Sequence, residues 1–260
     1  MAGGVAIPLT NPLRSALVRP RLAVIGGSGL YALDALENAT AESVTTPYGA
    51  PSAAVRVGRV GGADVAFLAR HGTRHTIPPH RINHRANLWG LKELGASRIL
   101  GTSSVGSLRK DLRPGTFAVP HDYLCLWDLP TFHDEVVVHT TPSLDPGIRR
   151  SVVATLRRRK VPVRARAVYA QTRGPRLETK AEIRLLRDYA DVVGMTMASE
   201  ATLAAELGLG YASLCTVDNY AHGITDRPLT YEAIVKTQKE NARMLASLMV
   251  PLLEAIADEG

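Results

Sequence analysis

Short apolar runs alternate along the chain with longer segments of helical period, and polar or glycine-rich clusters stand where the apolar runs stop. Leu22 to Ile25 predicts a buried first strand, closed by Gly26-Gly27-Ser28-Gly29. Ala54 to Gly58 alternates, Gly61-Gly62 turns, and Asp64 to Leu68 returns as a hairpin that delivers Arg70-His71-Gly72 at a strand end. Asn83 to Leu94 predicts a helix, closed by Gly95. Ser97 to Leu100 predicts a strand that ends in a loop of small residues, Gly101 to Ser107. Leu112 to Pro120 turns at Pro114-Gly115 and becomes a strand that runs over Asp122 to Leu129 into a loop reaching residue 145. Pro146 to Lys160 then predicts a helix, and Ala165 to Ala170 a strand.

The stretch from Tyr169 to Glu200 is the densest. Gly174-Pro175 makes a bend, and Glu178 and Thr179 stand at the mouth of a helix. Ile183, Leu185, Leu186 and Tyr189 give that helix its apolar side. Asp191-Val192-Val193 predicts a strand with Gly194, Met195, Thr196 and Met197 at its end, and Ser199 is placed to cap a helix from Glu200 to Leu207. Tyr211 to Val217 predicts a buried strand ending in Asp218 to Gly223, and Leu229 to Ala257 a long helix interrupted near Pro251. Strands alternating with helices, with polar clusters at the strand ends, argue an α/β fold around a central, mostly parallel sheet. Ligands bind at such strand ends; an ordinary strand–helix–strand unit explains the same pattern.

The 260 residues are enough for one large domain, and 45% hydrophobic with 21% charged residues is ordinary for a globular protein. We take residues 1–21 as a loose leader and 22–260 as a single domain. No run is apolar over the roughly 18 residues a membrane span needs. Cys125 and Cys215 make no disulfide framework, which fits a reducing cytoplasm. A net charge of +7 is compatible with nucleic acid, but the basic residues are scattered apart from Arg157 to Lys160, so a phosphate-bearing substrate or plain solubility explains it equally well.

The candidate chemistry begins at the first glycine turn. It lacks the acidic residue a dinucleotide fingerprint wants near Thr45 to Gly49, and Leu30 stands where a nucleophile elbow needs glycine. A turn that cradles phosphate remains, with Ser28 as hydroxyl donor, beside the reading of an ordinary tight turn. Arg70 is a candidate for bidentate phosphate binding. His71, His75, His80 and His84 invite a zinc reading, but Pro78-Pro79 breaks the helix and no HExxH or cysteine pair accompanies them. The loop Gly101 to Ser107 suits an oxyanion or close packing at a sheet crossover.

Taken together, VIGGSGL (24–30), ARHGTRHTIPPHRINHRANLWGLKELGA (69–96), TSSVGSLRKDLRPG (102–115), GPRLETKAEI (174–183), VVGMTMASEATLAAELGLGYASL (192–214) and LTYEAIVKTQKENA (229–242) resemble the purine nucleoside phosphorylase / methylthioadenosine phosphorylase family. The resemblance implies a single α/β domain with a twisted mixed central sheet, partly barrel-like and flanked by helices, assembled as a homotrimer or hexamer. It implies phosphorolysis of a purine nucleoside to free base and ribose 1-phosphate, with inorganic phosphate as co-substrate and no cofactor or metal. It places Ser28, Arg70, His71, Ser103 and Thr196 around phosphate, with Ser104 contributing backbone. Met195 falls under the ribose, and His139 is a candidate for a neighbouring subunit's site. Leu177, Glu178 and Asn219 fall at the base, and Tyr231 at the 5′ end. The adenine-specific branch resembles another pattern: a small hydroxyl residue at position 178 and aspartates at 219 and 221. With Glu178, Asn219 and Ala221 here, the pocket matches 6-oxopurines, and GPRLET with Asn219 resembles methylthioinosine phosphorylases. Methylthioadenosine phosphorolysis, a nucleoside hydrolase and a non-catalytic nucleotide-binding module are the alternatives.

Overall fold

The structure is a computed structural model that describes residues 20–226 and 228–259, without the side chains of Tyr231 and Ala233. Nine strands and five helices alternate: β1 (Leu22–Gly26), β2 (Glu37–Glu42), β3 (Val55–Val60), β4 (Ala63–Ala69), α1 (His84–Glu93), β5 (Arg98–Ser107), β6 (Phe117–Cys125), α2 (Pro146–Arg158), β7 (Val163–Gln171), α3 (Lys180–Leu186), β8 (Val192–Gly194), α4 (Met197–Glu206), β9 (Gly210–Tyr220) and α5 (Tyr231–Ala257). The sheet order is β2-β3-β4-β1-β5-β8-β7-β6-β9, and β9 pairs again with β5. Five strands therefore close into a barrel, and the other four extend from β5 as an outer sheet. The sheet is mixed: β5 is parallel to β1 and β9 but antiparallel to β8. The α/β architecture with a barrel-like part is as the sequence and the resemblance implied.

The stretch from Gly101 to Ser107 is strand, not loop. β5 belongs to both the outer sheet and the barrel and is buried along nearly its whole length; at Gly101 only glycine fits, since a Cβ there would come within 2.3 Å of the Tyr211 hydroxyl. α4 begins at Met197 with Thr196 at its N-cap, so Ser199 lies inside the helix and hydrogen-bonds Gln171 instead of capping. Of the apolar positions expected to bury α3, Ile183 and Leu186 do, whereas Leu185 and Tyr189 are exposed. β2 (ENATAE) carries no apolar run, because it is a largely exposed edge strand paired with β3 on one side.

α5 runs unbroken through Pro251. A proline inside a helix costs about 3 kcal/mol. Leu248, Met249, Leu252 and Leu253 beside it are buried, and each contributes about 1.5–3 kcal/mol by leaving water, so packing wins. Among the described residues no helix is long and apolar enough to cross a membrane.

Candidate active site

A cavity of about 300 Å³ opens where β1, β4, β5, β8 and β9 end or bend. Ser28, Arg70, His71, Ser103, Ser104, Leu177, Glu178, Met195, Thr196 and Asn219 all line it. They come from segments far apart in sequence, so the sheet is what gathers them. His139 is exposed in the loop before α2 and lines no part of this cavity. Tyr231 opens α5, but its side chain lies outside the described residues. A larger hollow of about 480 Å³ adjoins the cavity at Met195, bordered by Arg85 and Trp127. It lacks Glu178 and Asn219, so the smaller cavity is the candidate site.

One wall is built on the first glycine turn. Gly27 N–H donates to Thr102 Oγ1 (3.0 Å) and Arg70 N–H to Gly26 O (2.9 Å), which fastens the turn between β4 and β5. A Cβ on Gly27 would lie 2.2 Å from Arg70 Nη1, so the guanidinium passes where only glycine leaves room. Ser103 Oγ is buried with no hydrogen-bond partner among the described residues. Thr196 makes no side-chain capping bond at the start of α4. Two unengaged hydroxyls beside a helix N-terminus and an arginine suit an anion.

Arg70 lines the cavity with most of its N–H groups already engaged. Its Nε and Nη2 donate to the two carboxylate oxygens of Glu200 (2.5 and 2.9 Å), and Nη1 donates to Thr102 O (2.7 Å). The fork is spent on Glu200, and two of its five N–H groups remain. Arg70 is 1% exposed and Glu200 fully buried. Burial opposes both charges, yet each outweighs it for the other, raising the arginine and lowering the carboxyl. Tyr211 donates to Glu200 Oε2 (2.8 Å). The Ser104 hydroxyl is likewise committed, donating to Asp218, which leaves the backbone contact expected of this residue untouched.

Glu200 and Tyr211 escaped the sequence reading as site residues. The available signal was a lone carboxylate in the small-residue and apolar stretch from Met195 to Ala205, since a buried acid needs a partner.

His71 donates from Nδ1 to Ile77 O (2.8 Å) if neutral, leaving Nε2 as an acceptor. His75 stacks on it at 4.7 Å and bonds Ser28 Oγ at 3.0 Å. Burial and Arg70 lower His71 to about 4. His84, against Glu200 and Arg70, is lowered by burial to about 4. Of the eight histidines, these two are expected to stay neutral to pH 5 in an NMR titration of the ring protons. Either one titrating above pH 6 would contradict the packing. The unfolded chain protonates them near 6.5, so their contribution to stability is complete above that pH. It falls between pH 6.5 and about 4, where the unfolded chain takes up protons that the folded chain refuses. Among the described residues no cluster of three His, Cys, Asp or Glu side chains is arranged to hold a metal.

The other wall carries two groups that suit a heterocycle. Thr172 Oγ1 donates to Glu178 Oε1 (2.6 Å), which orients the carboxylate and leaves Oε2 for a ligand. Asn219 Nδ2 donates to Tyr220 O (2.9 Å) with one of its two hydrogens. Gly174, at φ 62°, holds the bend before Glu178; a Cβ there would sit 2.5 Å from Met195 Sδ. In the β5–β9 ladder Ser103 pairs with Cys215 and Gly106 with Asn219. The anion-suited and heterocycle-suited groups thus stand three residues apart along β5, or ~10 Å, room for a sugar between them.

The family model described as "Phosphorylase superfamily" matches residues 21–254. A probable 6-oxopurine nucleoside phosphorylase from Archaeoglobus fulgidus is 44% identical over 239 residues, 92% of this chain and 98% of that protein. An S-methyl-5′-thioadenosine phosphorylase from Hyperthermus butylicus is 40% identical over 249 residues, 93% and 90% of the two chains. Among solved structures, methylthioadenosine phosphorylase from Schistosoma mansoni in complex with adenine superimposes with a TM-score of 0.85 at 27% identity, covering 93% of each chain. With a family model over nearly its whole length and relatives of this identity end to end, the chain belongs to the phosphorylase superfamily as a nucleoside phosphorylase, a pentosyltransferase.

Proposed function

We propose that the protein is a purine nucleoside phosphorylase that prefers 6-oxopurine nucleosides, inosine- or guanosine-type or their 5′-methylthio counterparts. The observation that carries this reading is Glu178, a carboxylate with one oxygen tied to Thr172 and the other open to the cavity that Asn219 also lines. A 6-oxopurine presents N1–H to such an acceptor. A 6-aminopurine presents a bare lone pair, and the two repel. A mispaired buried polar group costs about 1–3 kcal/mol.

In this reading inorganic phosphate lies against Ser28, the free N–H groups of Arg70, Ser103 and Thr196. His71 Nε2 accepts the remaining proton of monohydrogen phosphate. The ribose lies on Met195. The glycosidic bond lengthens first, and the resulting oxocarbenium-like ribose is stabilised by the phosphate beneath it. Orientation and electrostatics supply the rate, and no covalent nucleophile is required. Asn219 holds the charge that develops on N7 of the leaving base. Leu177 borders the base. The motif resemblance puts Tyr231 at the 5′ end, as the position that decides between hydroxyl and methylthio. His139 serves a neighbouring copy in a homo-oligomer, a reading supported by the exposed Val136, Val137 and Val138 beside it; a monomer by light scattering would remove that role.

The test is base release from inosine, adenosine, methylthioinosine and methylthioadenosine, with and without phosphate. The inosine pair is expected to react and the adenosine pair to lag. Glu178→Gln is expected to narrow that preference by roughly 5- to 150-fold, the ratio that 1–3 kcal/mol represents. Methylthioadenosine as the fastest substrate would overturn the base reading in favour of the other branch of relatives. Turnover without phosphate would indicate a hydrolase, and binding without turnover a non-catalytic module.

A further inference from the structure

Positions 234, 238, 241, 245, 248 and 252 of α5 recur every three or four residues and so share one face of the helix. From Leu245 onward this stripe is apolar and buried in the core. Before it stand Asn241, Gln238 and then Ile234, which lines the cavity together with Leu229. The C-terminal half of the helix is thus anchored by hydrophobic packing, while its first turns lie over the site.

At the junction the stripe turns polar, and its partners converge on one carboxylate. Asn241 Nδ2 donates to Asp218 Oδ1 (2.6 Å) and to Val217 O (3.0 Å). Gln238 Nε2 donates to Ser104 Oγ (3.4 Å), and the Ser104 hydroxyl donates to Asp218 Oδ2. Asp218 is 1% exposed, and among the described residues no Lys, Arg or His forms an ion pair with it. Burial pushes its carboxyl up, and hydrogen bonds from Ser104, Asn241 and Thr216 draw it back. A buried carboxylate with no cation is costly to keep. None of the phosphorolysis steps above uses it.

The geometry points to Asp218 as a positioning residue. Through Ser104, Gln238 and Asn241 it fastens the first turns of α5 over the cavity and so sets the wall that meets the nucleoside. The link to the nucleoside rests on the reading of the cavity given above; the link to the helix does not.

The experiment therefore has two readouts on Asp218→Ala, Asp218→Asn and Gln238→Ala. The first is amide hydrogen exchange across residues 229–241 in the free enzyme. The second is KM for inosine against KM for phosphate. Exchange is expected to speed up in Asp218→Ala and Gln238→Ala. The inosine KM is expected to rise roughly tenfold in Asp218→Ala, the effect of losing about one buried hydrogen bond, with phosphate KM and kcat within about twofold. Asp218→Asn, which keeps an acceptor for Asn241 and a polar partner for Ser104, is expected to recover most of the loss. Unchanged exchange in Gln238→Ala overturns the fastening. Faster exchange with both KM values unchanged, or with both raised alike, overturns the positioning of substrate. If Asp218→Ala fails to fold, Gln238→Ala, which alters a half-buried surface residue, carries both readouts. If inosine is not a substrate, the exchange result still stands, so the two failures are told apart.

Discussion

Glu200→Gln is expected to lower the unfolding free energy by about 3–5 kcal/mol, the cost of stranding one partner of a buried ion pair. Arg70 and Glu200 are 1% and 0% exposed and share two hydrogen bonds, so neither reaches water when the other is neutralised. An ion pair of this kind contributes little against a well-packed apolar replacement, because desolvation offsets the attraction. The large penalty belongs to breaking it on one side only. Replacing both residues, Arg70→Met with Glu200→Leu, should then destabilise less than Glu200→Gln alone. Urea unfolding of the three proteins decides this. A single-variant loss below 1 kcal/mol would mean that Arg70 finds another partner.

The same substitution should raise the KM for phosphate. Glu200 takes the fork edge of Arg70 and Thr102 O takes one more N–H, which aims the two remaining N–H groups. A guanidinium freed from Glu200 loses that aim even where the protein still folds.

Asn219→Ala is expected to lower kcat with inosine by about 10²–10³-fold, the usual effect of removing one donor from a site where charge develops. The carboxamide is aimed before any ligand arrives. Tyr220 O takes one hydrogen of Nδ2, and Gly106 across the ladder leaves space beside it. A Cβ on Gly106 would come within 3.2 Å of Nδ2. Because Asn219 and Ser103 are three residues apart along the β5–β9 ladder, the phosphate KM should move far less than kcat. Single-turnover and steady-state kinetics at saturating phosphate measure the split. An unchanged kcat would remove Asn219 from the chemistry and leave it a turn residue.

Much of this was legible in the chain. Among the described residues the apolar and alternating runs located eight of the nine strands, because each of those sets at least one face or one end against the core. The ninth, β2, is a largely exposed edge paired with β3 through its backbone, and a backbone ladder leaves no mark on side-chain pattern. Of the residues expected to meet in one site, ten line one cavity, His139 stands outside it, and the Tyr231 side chain is not among those described. That expectation came from the resemblance of whole motifs, not from periodicity.

The sequence alone determined the alternation of strand and helix and the chemical types at the strand ends: serine and glycine after β1, arginine after β4, a carboxylate before α3, an amide in β9. Those are local facts of composition and spacing. Only the tertiary structure decided how the types are spent. Arg70 faces Glu200, 130 residues away, so its fork is an internal ion pair. Ser104 gives its hydroxyl to Asp218, 114 residues on, so the small-residue stretch is a strand with a committed side chain rather than a loop of free donors. Closure of β5 against β9 sets the Ser104–Asp218 pair, and a hydrogen-bond donor has no preference among acceptors until packing excludes the water that would otherwise serve it.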